Sequence, residues 1–558
     1  MKHVLYIAAS VLILAGCIKE SFPQGSVQTQ DQVSESESAL QAVANAIPAS
    51  MMTSNLLGWA SSNSYGDHTD FGIGAIHLKT EFMLEDMVTS GGNPYYNRFY
   101  PYVLNRSQGE RYIYCAYFWQ CYYKWIKMAN DIISLVDPQT AADDAVQILG
   151  QAYAYRAMCY LDLARLYEPK ENGYTDISAI QGLTVPIVTE TTTEEQAKDN
   201  PRATRESMYE FILSDLSKAE AYLGPSSGYT LPSIAAVYGL YARTYLEMGY
   251  WGDGAAADNF ASAAEYARMA VDASGRTPLT QTQWEDPVNG FNNGAASNSW
   301  IWGLTTSSEN TINIITYTAH ISSEGTWGYA PLSQISASRR FYDAIPDSDF
   351  RKHSWLDPAY IADPGAGLPY VYKFAGTDQD KMNFLEGTDA NPPAVAYQNI
   401  KFRPYQGECS DYAVGNCADH PLMRVEEMLF IEMEAVAQNN LAAAKELLEN
   451  FMDMRIVDGS YACQADGLES FLQEMLFQKR VEFWGEGVLF FDYKRLGVGI
   501  TRGYAGTNES AIYALNSEGR SPQWNIVVTN GEFQYNSAIG TSTNNPDPSG
   551  LLTLWTGQ

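Results

Sequence analysis

Charged residues that could take part in acid–base catalysis occur together near the carboxyl end, in "RVEFWGEGVLFFDYKR". Such catalysis uses two carboxylates and positively charged side chains that hold the substrate. The stretch contains residues of both types: Arg480, Glu482, Glu486, Asp492 and Arg495. The same side chains can instead link neighbouring helices as an ion-pair network. We favour the network, because the stretch does not define a pair of carboxylates across a bond. No catalytic residue is therefore predicted here.

Two further patterns invite a catalytic interpretation and do not support one. Residues 224–228, "GPSSG", match G-x-S-x-G, but a nucleophile elbow needs a strand before the serine, and the helical "AEAYL" precedes it. Glu81, Glu85 and Asp86 are most simply a solvated helix face. The sequence contains no phosphate-binding glycine loop, no H-E-x-x-H and no EF-hand pattern, so no cofactor is predicted.

Cysteines give one candidate cross-link. Cys409 and Cys417 lie in a polar segment, "GECSDYAVGNCADH", and we predict a disulfide between them that closes this loop. Together with His420 they could supply three zinc ligands, but the spacing matches no common zinc pattern, and no metal site is predicted. Three more cysteines lie in helical patterns and are expected to be buried, namely Cys115, Cys121 and Cys159.

The amino terminus has the three parts of an export signal. Lys2 and His3 precede an apolar run that is shorter than the roughly 20 residues a membrane-spanning helix needs. The run ends at Leu14-Ala15-Gly16-Cys17, which is similar to a bacterial lipobox, so residues 1–16 are predicted to be a signal peptide and Cys17 the acylated first residue. Residues 17–39 carry little apolar content and are predicted to be a flexible leash.

Composition and periodicity predict a mostly α-helical globular protein behind this leash. The net charge of −30 opposes binding to nucleic-acid phosphates. Helical periodicity covers 40–275 and 421–497, and "FASAAEYARMAV" and "LAAAKELLENFM" resemble each other in the way that tetratricopeptide hairpins do. Residues 276–420 form an irregular, aromatic-rich insert in which Trp300 and Trp302 alternate, so that one of them should face the core. An irregular tail, 498–558, follows.

Seven segments in this order resemble the SusD/RagB-like family of outer-membrane nutrient-binding lipoproteins. They are "YIYCAYFWQCYYKWIKMANDIISLV", "LGQAYAYRAMCYLDLARLYE", "GLTVPIVTE", "RATRESMYEFILSDLSKAEAYL", "AAVYGLYARTYLEMGYW", "PLMRVEEMLFIEMEAVA" and "QKRVEFWGEGVLFFDYKRLG". The chain departs from the family pattern in two places, because no arginine follows Glu486-Gly487 closely and the tail lacks an "NPGY"-like end. Both departures concern packing.

The resemblance implies a helical fold of tetratricopeptide-like hairpins with an irregular, loop-rich ligand-binding region. It also implies a non-enzymatic role as a lipid-anchored outer-membrane protein that faces the cell exterior. Such a protein captures oligosaccharides, or in some members peptides, for a SusC-like TonB-dependent transporter barrel. An exported glycoside hydrolase and a purely structural assembly protein are the alternative functions.

Aromatic residues in loops are the candidate ligand contacts, because sugar rings present apolar faces that stack on exposed aromatic rings. The chain has 38 Tyr, 21 Phe and 12 Trp, more than a helical core requires. Three loop segments combine aromatics with amide or charged groups beside Gly, Pro or Asn, where loops hold side chains outward. The candidates are Trp59, Tyr65 and Asp67 in the first segment, Asn93, Tyr95, Tyr96 and Arg98 in the second, and Trp327 and Tyr329 in the third.

Overall fold

The computed structural model describes residues 37–53, 67–89, 106–252, 254–308 and 314–557. Helices dominate these ranges, as the sequence predicts. The helices of eight or more residues are α1 (Glu37–Met52), α2 (Ile73–Glu81), α3 (Ile113–Leu135), α4 (Asp143–Tyr167), α5 (Arg205–Tyr222), α6 (Ile234–Gly249), α7 (Ala256–Ser274), α8 (Asp378–Glu386), α9 (Val425–Ala437), α10 (Leu441–Met452), α11 (Leu468–Phe483) and α12 (Leu489–Leu496). The predicted leash and Cys17 lie outside the described residues, apart from the start of α1.

Consecutive helices pack against each other along the chain. Helix α3 packs on α4, α4 on α5, α6 on α7 and α9 on α10, and α7 also packs on α9. The two similar sequence segments form α7 and α10. Small residues on the inner faces, including Ala263, Ala267 and Ala444, are fully buried, which lets the helix backbones approach closely.

Helix α5 shows how the local sequence sets an element. Thr204 caps its first turn by accepting a hydrogen bond from the Ser207 amide. The side chains of Met208, Ile212 and Leu216 are buried, because they recur at steps of four on one helix face.

Short strands tie distant segments together. Strand β1 (Met87–Thr89) pairs antiparallel with β3 (Ile335–Ala337), and β2 (Trp300–Leu304) pairs antiparallel with β4 (His420–Arg424). The remaining helices are short and lie mainly between residues 280 and 420, namely Glu194–Ala197, Gln281–Trp284, Tyr317–Ile321, Ala330–Ser333, Arg339–Ala344, Pro358–Ala362, Tyr412–Gly415 and Asn530–Tyr535. Within the described ranges, no helix has an apolar run long enough to cross a bilayer.

The tryptophan rings of the insert are buried. Trp300 and Trp302 are both fully buried, so the expectation that only one faces the core is wrong. The pairing register of β2 is irregular between these residues, and each ring has its own aromatic neighbours. Tyr155 packs on Trp302 with ring centroids 5.2 Å apart, and Tyr229 packs on Trp300 at 5.9 Å.

Ion pairs inside the fold connect α9, α11 and the insert. Glu482 contacts the guanidinium groups of Arg351, Arg424 and Arg455 at 3.2, 3.4 and 2.9 Å. Glu486 lies 2.8 Å from both Lys401 and Arg424. The predicted ion-pair network at the carboxyl end is therefore confirmed.

The acidic residues at the end of α2 are buried, so their interpretation as a solvated face is wrong. Asp86 accepts two hydrogen bonds from Arg480, and Glu85 lies 3.0 Å from the same guanidinium. Glu81 accepts a 2.9 Å hydrogen bond from the Gly487 amide. Burial raises the pKa of Glu81 to about 8, which keeps this carboxyl protonated at neutral pH.

Candidate functional site

The structure brings described residues of the first and third predicted loop segments together. His68, which follows Asp67, contacts the Tyr329 hydroxyl through Nδ1 at 2.5 Å, although the two residues are 261 positions apart. Thr89, the last described residue before the second segment, lies opposite Ile335 in the pairing of β1 with β3. The first and third segments therefore meet at their described residues.

Four rings pack together at this contact, and we call them the aromatic junction: His68, Phe71, His320 and Tyr329. His320 stacks between Phe71 and Tyr329, with ring centroids 4.3 and 4.2 Å away. Its two ring nitrogens face the carbonyls of Thr316 and His68 at 2.7 and 2.8 Å. Burial lowers the pKa of His320 to about 3, so the neutral ring donates to one of these carbonyls only.

Backbone geometry fixes the third segment in the junction. Gly328 has φ +88°, and a Cβ there would come within 2.7 Å of the Ala319 carbonyl oxygen, so only glycine fits this turn. The Trp327 indole lies against Gly415, where a Cβ would come within 2.6 Å of the ring. Thr326 donates from its amide to the Cys409 carbonyl at 2.8 Å, which anchors the segment to the cysteine loop.

Trp327 and Tyr329 are 9% and 5% exposed, so the expectation that their loop holds both rings outward is wrong. They are buried because Tyr329 stacks on His320 and Trp327 fills the space beside Gly415. Whether either ring contacts a ligand stays a prediction. The other candidates lie outside the described residues or have undescribed side chains, namely Trp59, Tyr65, Asp67, Asn93, Tyr95, Tyr96 and Arg98.

Sequence reasoning did not identify His68, Phe71 or His320 as part of this site. A single histidine in a helix or loop does not by itself indicate a functional site. Only the fold shows that His320 stacks on Phe71 and Tyr329. The pairing of "GDHTD" with "GTWGYAP" depends on a contact across more than 250 residues. No local pattern in either segment predicts it.

The predicted disulfide is absent. Cys409 and Cys417 are not bonded to each other, and each has a separate partner: Cys409 Sγ lies 3.6 Å from the Gly407 carbonyl and Cys417 Sγ 3.2 Å from that of Ala413. Burial raises the pKa of the Cys409 thiol, which keeps it protonated. The loop is closed by hydrogen bonds instead.

Comparison with known proteins agrees with this architecture. Residues 78–246 match the family model SusD-like_3, described as starch-binding and associating with the outer membrane. This part of the chain is therefore similar to SusD-like proteins. A search of curated proteins finds no match.

Solved structures of SusD-like proteins share the fold over most of the chain. A SusD-like carbohydrate-binding protein from Bacteroides vulgatus is 20% identical, with a TM-score of 0.66 over 91% of this chain and 98% of that one. A SusD superfamily protein from Bacteroides thetaiotaomicron is 18% identical, with a TM-score of 0.65 over 92% and 100% of the two chains. Surface glycan-binding protein A from the latter organism, in complex with laminarihexaose, is 16% identical, with a TM-score of 0.63 over 91% and 99%.

Proposed function

We propose that this chain is a cell-surface glycan-binding lipoprotein that captures oligosaccharides and delivers them to a TonB-dependent outer-membrane transporter. The observation that carries the proposal is the contact between the first and third loop segments, which meet through His68 and Tyr329 at the aromatic junction. A rigid buried base lets such loops present rings and hydrogen-bonding groups at fixed positions. Sugar binding needs that combination, since rings stack on the apolar sugar face and polar groups select its hydroxyls.

The comparisons support the same function. The matching family model is described as starch-binding, and a structural neighbour holds laminarihexaose. The description also mentions the outer membrane, which agrees with lipid attachment at Cys17. Multiple acyl chains on Cys17 would hold the protein at the bilayer surface, and residues 18–36 would give the fold reach from the membrane. We place it on the outside of the cell, beside a SusC-like barrel.

Binding without cleavage is the activity that the arrangement of carboxylates favours. Glu482, Glu486 and Asp492 lie in the protein interior and are paired with cations, so they do not flank a surface cleft. A glycoside hydrolase needs two accessible carboxyl groups on either side of the scissile bond. Incubation with the bound glycan should therefore release no new reducing ends.

Paired substitutions in the second loop segment test the proposal. The soluble form that starts after Cys17 is titrated with the glycan that it retains, by isothermal calorimetry. Y95A/Y96A should weaken binding by about tenfold or more, because two stacking rings are lost, whereas Y95F/Y96F keeps the rings and should bind within about threefold of wild type. Equal affinities for the wild type and both variants would exclude these residues from the site.

Delivery to the transporter is tested separately. The lipidated protein should co-purify with a TonB-dependent barrel from outer membranes of its native cell.

Lipid anchoring is tested with a Cys17→Ser variant, which cannot be acylated and should be released from the membrane fraction. Retention of that variant in the membrane would contradict lipid anchoring at Cys17.

A further inference from the structure

Exposed aromatic rings are rare in the part of the chain that the structure describes. Three are more than two-fifths exposed: Tyr112 at 43%, Tyr412 at 46% and Tyr535 at 77%. Tyr112 lines a surface cavity of about 410 Å³ between residues 109–112 and the carboxyl-terminal tail. Tyr535 lines a separate cavity of about 360 Å³ between α3, residues 186–200 and the tail. Both volumes fall in the range typical of small-ligand sites. These cavities share no lining residue with the aromatic junction.

The Tyr535 cavity combines an aromatic wall with an apolar floor. Trp119 and Tyr123 of α3 lie with ring centroids 4.8 Å apart, and Pro186 and Val188 continue the apolar surface. Tyr535 stands at the rim and is largely exposed. The Tyr535 ring is therefore accessible from solvent at the edge of this cavity.

Polar groups in the same cavity are held at fixed positions. Glu532 accepts a 3.1 Å hydrogen bond from the Trp119 indole and a 3.0 Å bond from Asn536. Asn536 and Asn200 are joined in both directions, because the Asn200 amide donates to Asn536 Oδ1 at 3.0 Å and Asn536 Nδ2 donates to the Asn200 carbonyl at 2.7 Å. Each carboxylate oxygen of Glu532 can accept a second hydrogen bond, so capacity for ligand hydroxyls remains.

The Tyr112 cavity lies beside the segment that immediately precedes α3. Tyr112 is the residue before α3 begins, and Trp119 is seven residues later, which corresponds to about 10 Å along the helix axis. Arg111, Glu110 and Asp547 supply hydrogen-bonding groups beside Tyr112. The Asn530 amide donates to the Glu110 carbonyl at 2.8 Å, so the tail segment that carries Tyr535 is fixed to this cavity also.

We propose that these two cavities form a second carbohydrate-binding surface, the α3–tail face, which takes an extended neutral oligosaccharide with rings stacked on Tyr112 and Tyr535. The inference rests on the proposed function and adds a site to it. An extended chain fits because the Tyr112 cavity lies before the first turn of α3, whereas the Tyr535 cavity contacts Trp119 and Tyr123 further along that helix. A neutral chain fits because each cavity carries both signs of charge: Lys198 lies 2.9 Å from Glu194, and Arg111 lies 3.8 Å from Glu110.

Matched substitutions in the soluble form test the α3–tail face. Wild type, Y112A/Y535A, Y112F/Y535F and the surface control V457A, which alters a residue that is 70% exposed, are run through native gels cast with laminarin, starch, xylan or mannan. In the gel that retards the wild type, the alanine pair should bind about two- to tenfold more weakly for each ring lost. The phenylalanine pair and V457A should migrate as the wild type does.

Each outcome separates this proposal from the main one. If the alanine pair binds as the wild type does while Y95A/Y96A loses binding, the α3–tail face is overturned and the proposed function stands. If the alanine pair instead changes the oligomeric state in sedimentation and leaves glycan retention unaltered, the surface is a protein interface and the proposal is again overturned. Retardation of no protein in any gel overturns both.

Discussion

Replacing Glu482 with glutamine should destabilise the fold strongly, because this carboxylate balances buried positive charge. Four cations and four anions form the cluster around it, all nearly inaccessible to water, and their charges sum to zero: Arg351, Lys401, Arg424 and Arg455 against Asp349, Glu426, Glu482 and Glu486. Burial opposes the ionisation of Glu482, but Arg455, Arg424 and Arg351 outweigh it and hold its pKa well below the usual range. At neutral pH this side chain is therefore an anion.

The size of the effect follows from what glutamine leaves behind. E482Q keeps the shape of the side chain but removes one negative charge, so the cluster carries one uncompensated buried cation. The new NH₂ group also points a donor at guanidinium donors within 3.4 Å. Removal of one partner from a buried pair costs about 3–5 kcal/mol, and we expect a loss of that order in the free energy of unfolding.

Urea unfolding followed by circular dichroism measures this loss. E194Q is the matched control, since Glu194 forms an exposed pair with Lys198 and should change stability by less than about 0.5 kcal/mol. Adding R455M to E482Q removes the excess cation and should recover part of the stability. An E482Q protein within about 1 kcal/mol of wild type would refute the balanced-cluster account.

Three further predictions follow from the buried groups. The pKa of Glu81 is about 8 in the folded state, which is above its value in the unfolded chain. As the pH rises from about 4.5 to 8, the wild type should therefore lose stability relative to E81Q, by up to about 1.4 kcal/mol per pH unit in urea unfolding. A stability difference that stays constant with pH would contradict a buried neutral carboxyl. Denatured, unreduced soluble protein should titrate as six thiols with a thiol reagent, whereas four would indicate the Cys409–Cys417 disulfide. Gly487→Ala should lower the melting temperature by several degrees, because φ is +76° and the new Cβ would lie 2.3 Å from His77; an unchanged melting temperature would show that the loop relaxes freely.

Helix positions and inner faces could be predicted because they depend on neighbours three and four residues away. Thr204 and the stripe that begins at Met208 are examples. The charged stretch around Glu482 was also predictable as a network, since many opposite charges without a defined geometry usually pair. In these cases the physical cause lies within one turn or one helix.

Features that depend on distant partners could not be predicted. The sequence around Glu81 is that of a surface residue, but in the fold its carboxylate accepts a hydrogen bond from the Gly487 amide, more than 400 positions later. The surplus of aromatic residues suggested many exposed platforms, yet most described rings pack on other rings between elements. Tyr329 is the clearest example, since nothing near it indicates that His320 and His68 will cover it.

Affinity electrophoresis of the soluble form, from residue 18 onward, tests the central claim most directly. Native gels are cast with plant, host and microbial polysaccharides, and migration is compared with a gel that contains none. We predict retardation in at least one polysaccharide gel, which would establish glycan capture and identify the sugar class. Unretarded migration through every gel would contradict the claim that this chain captures glycans.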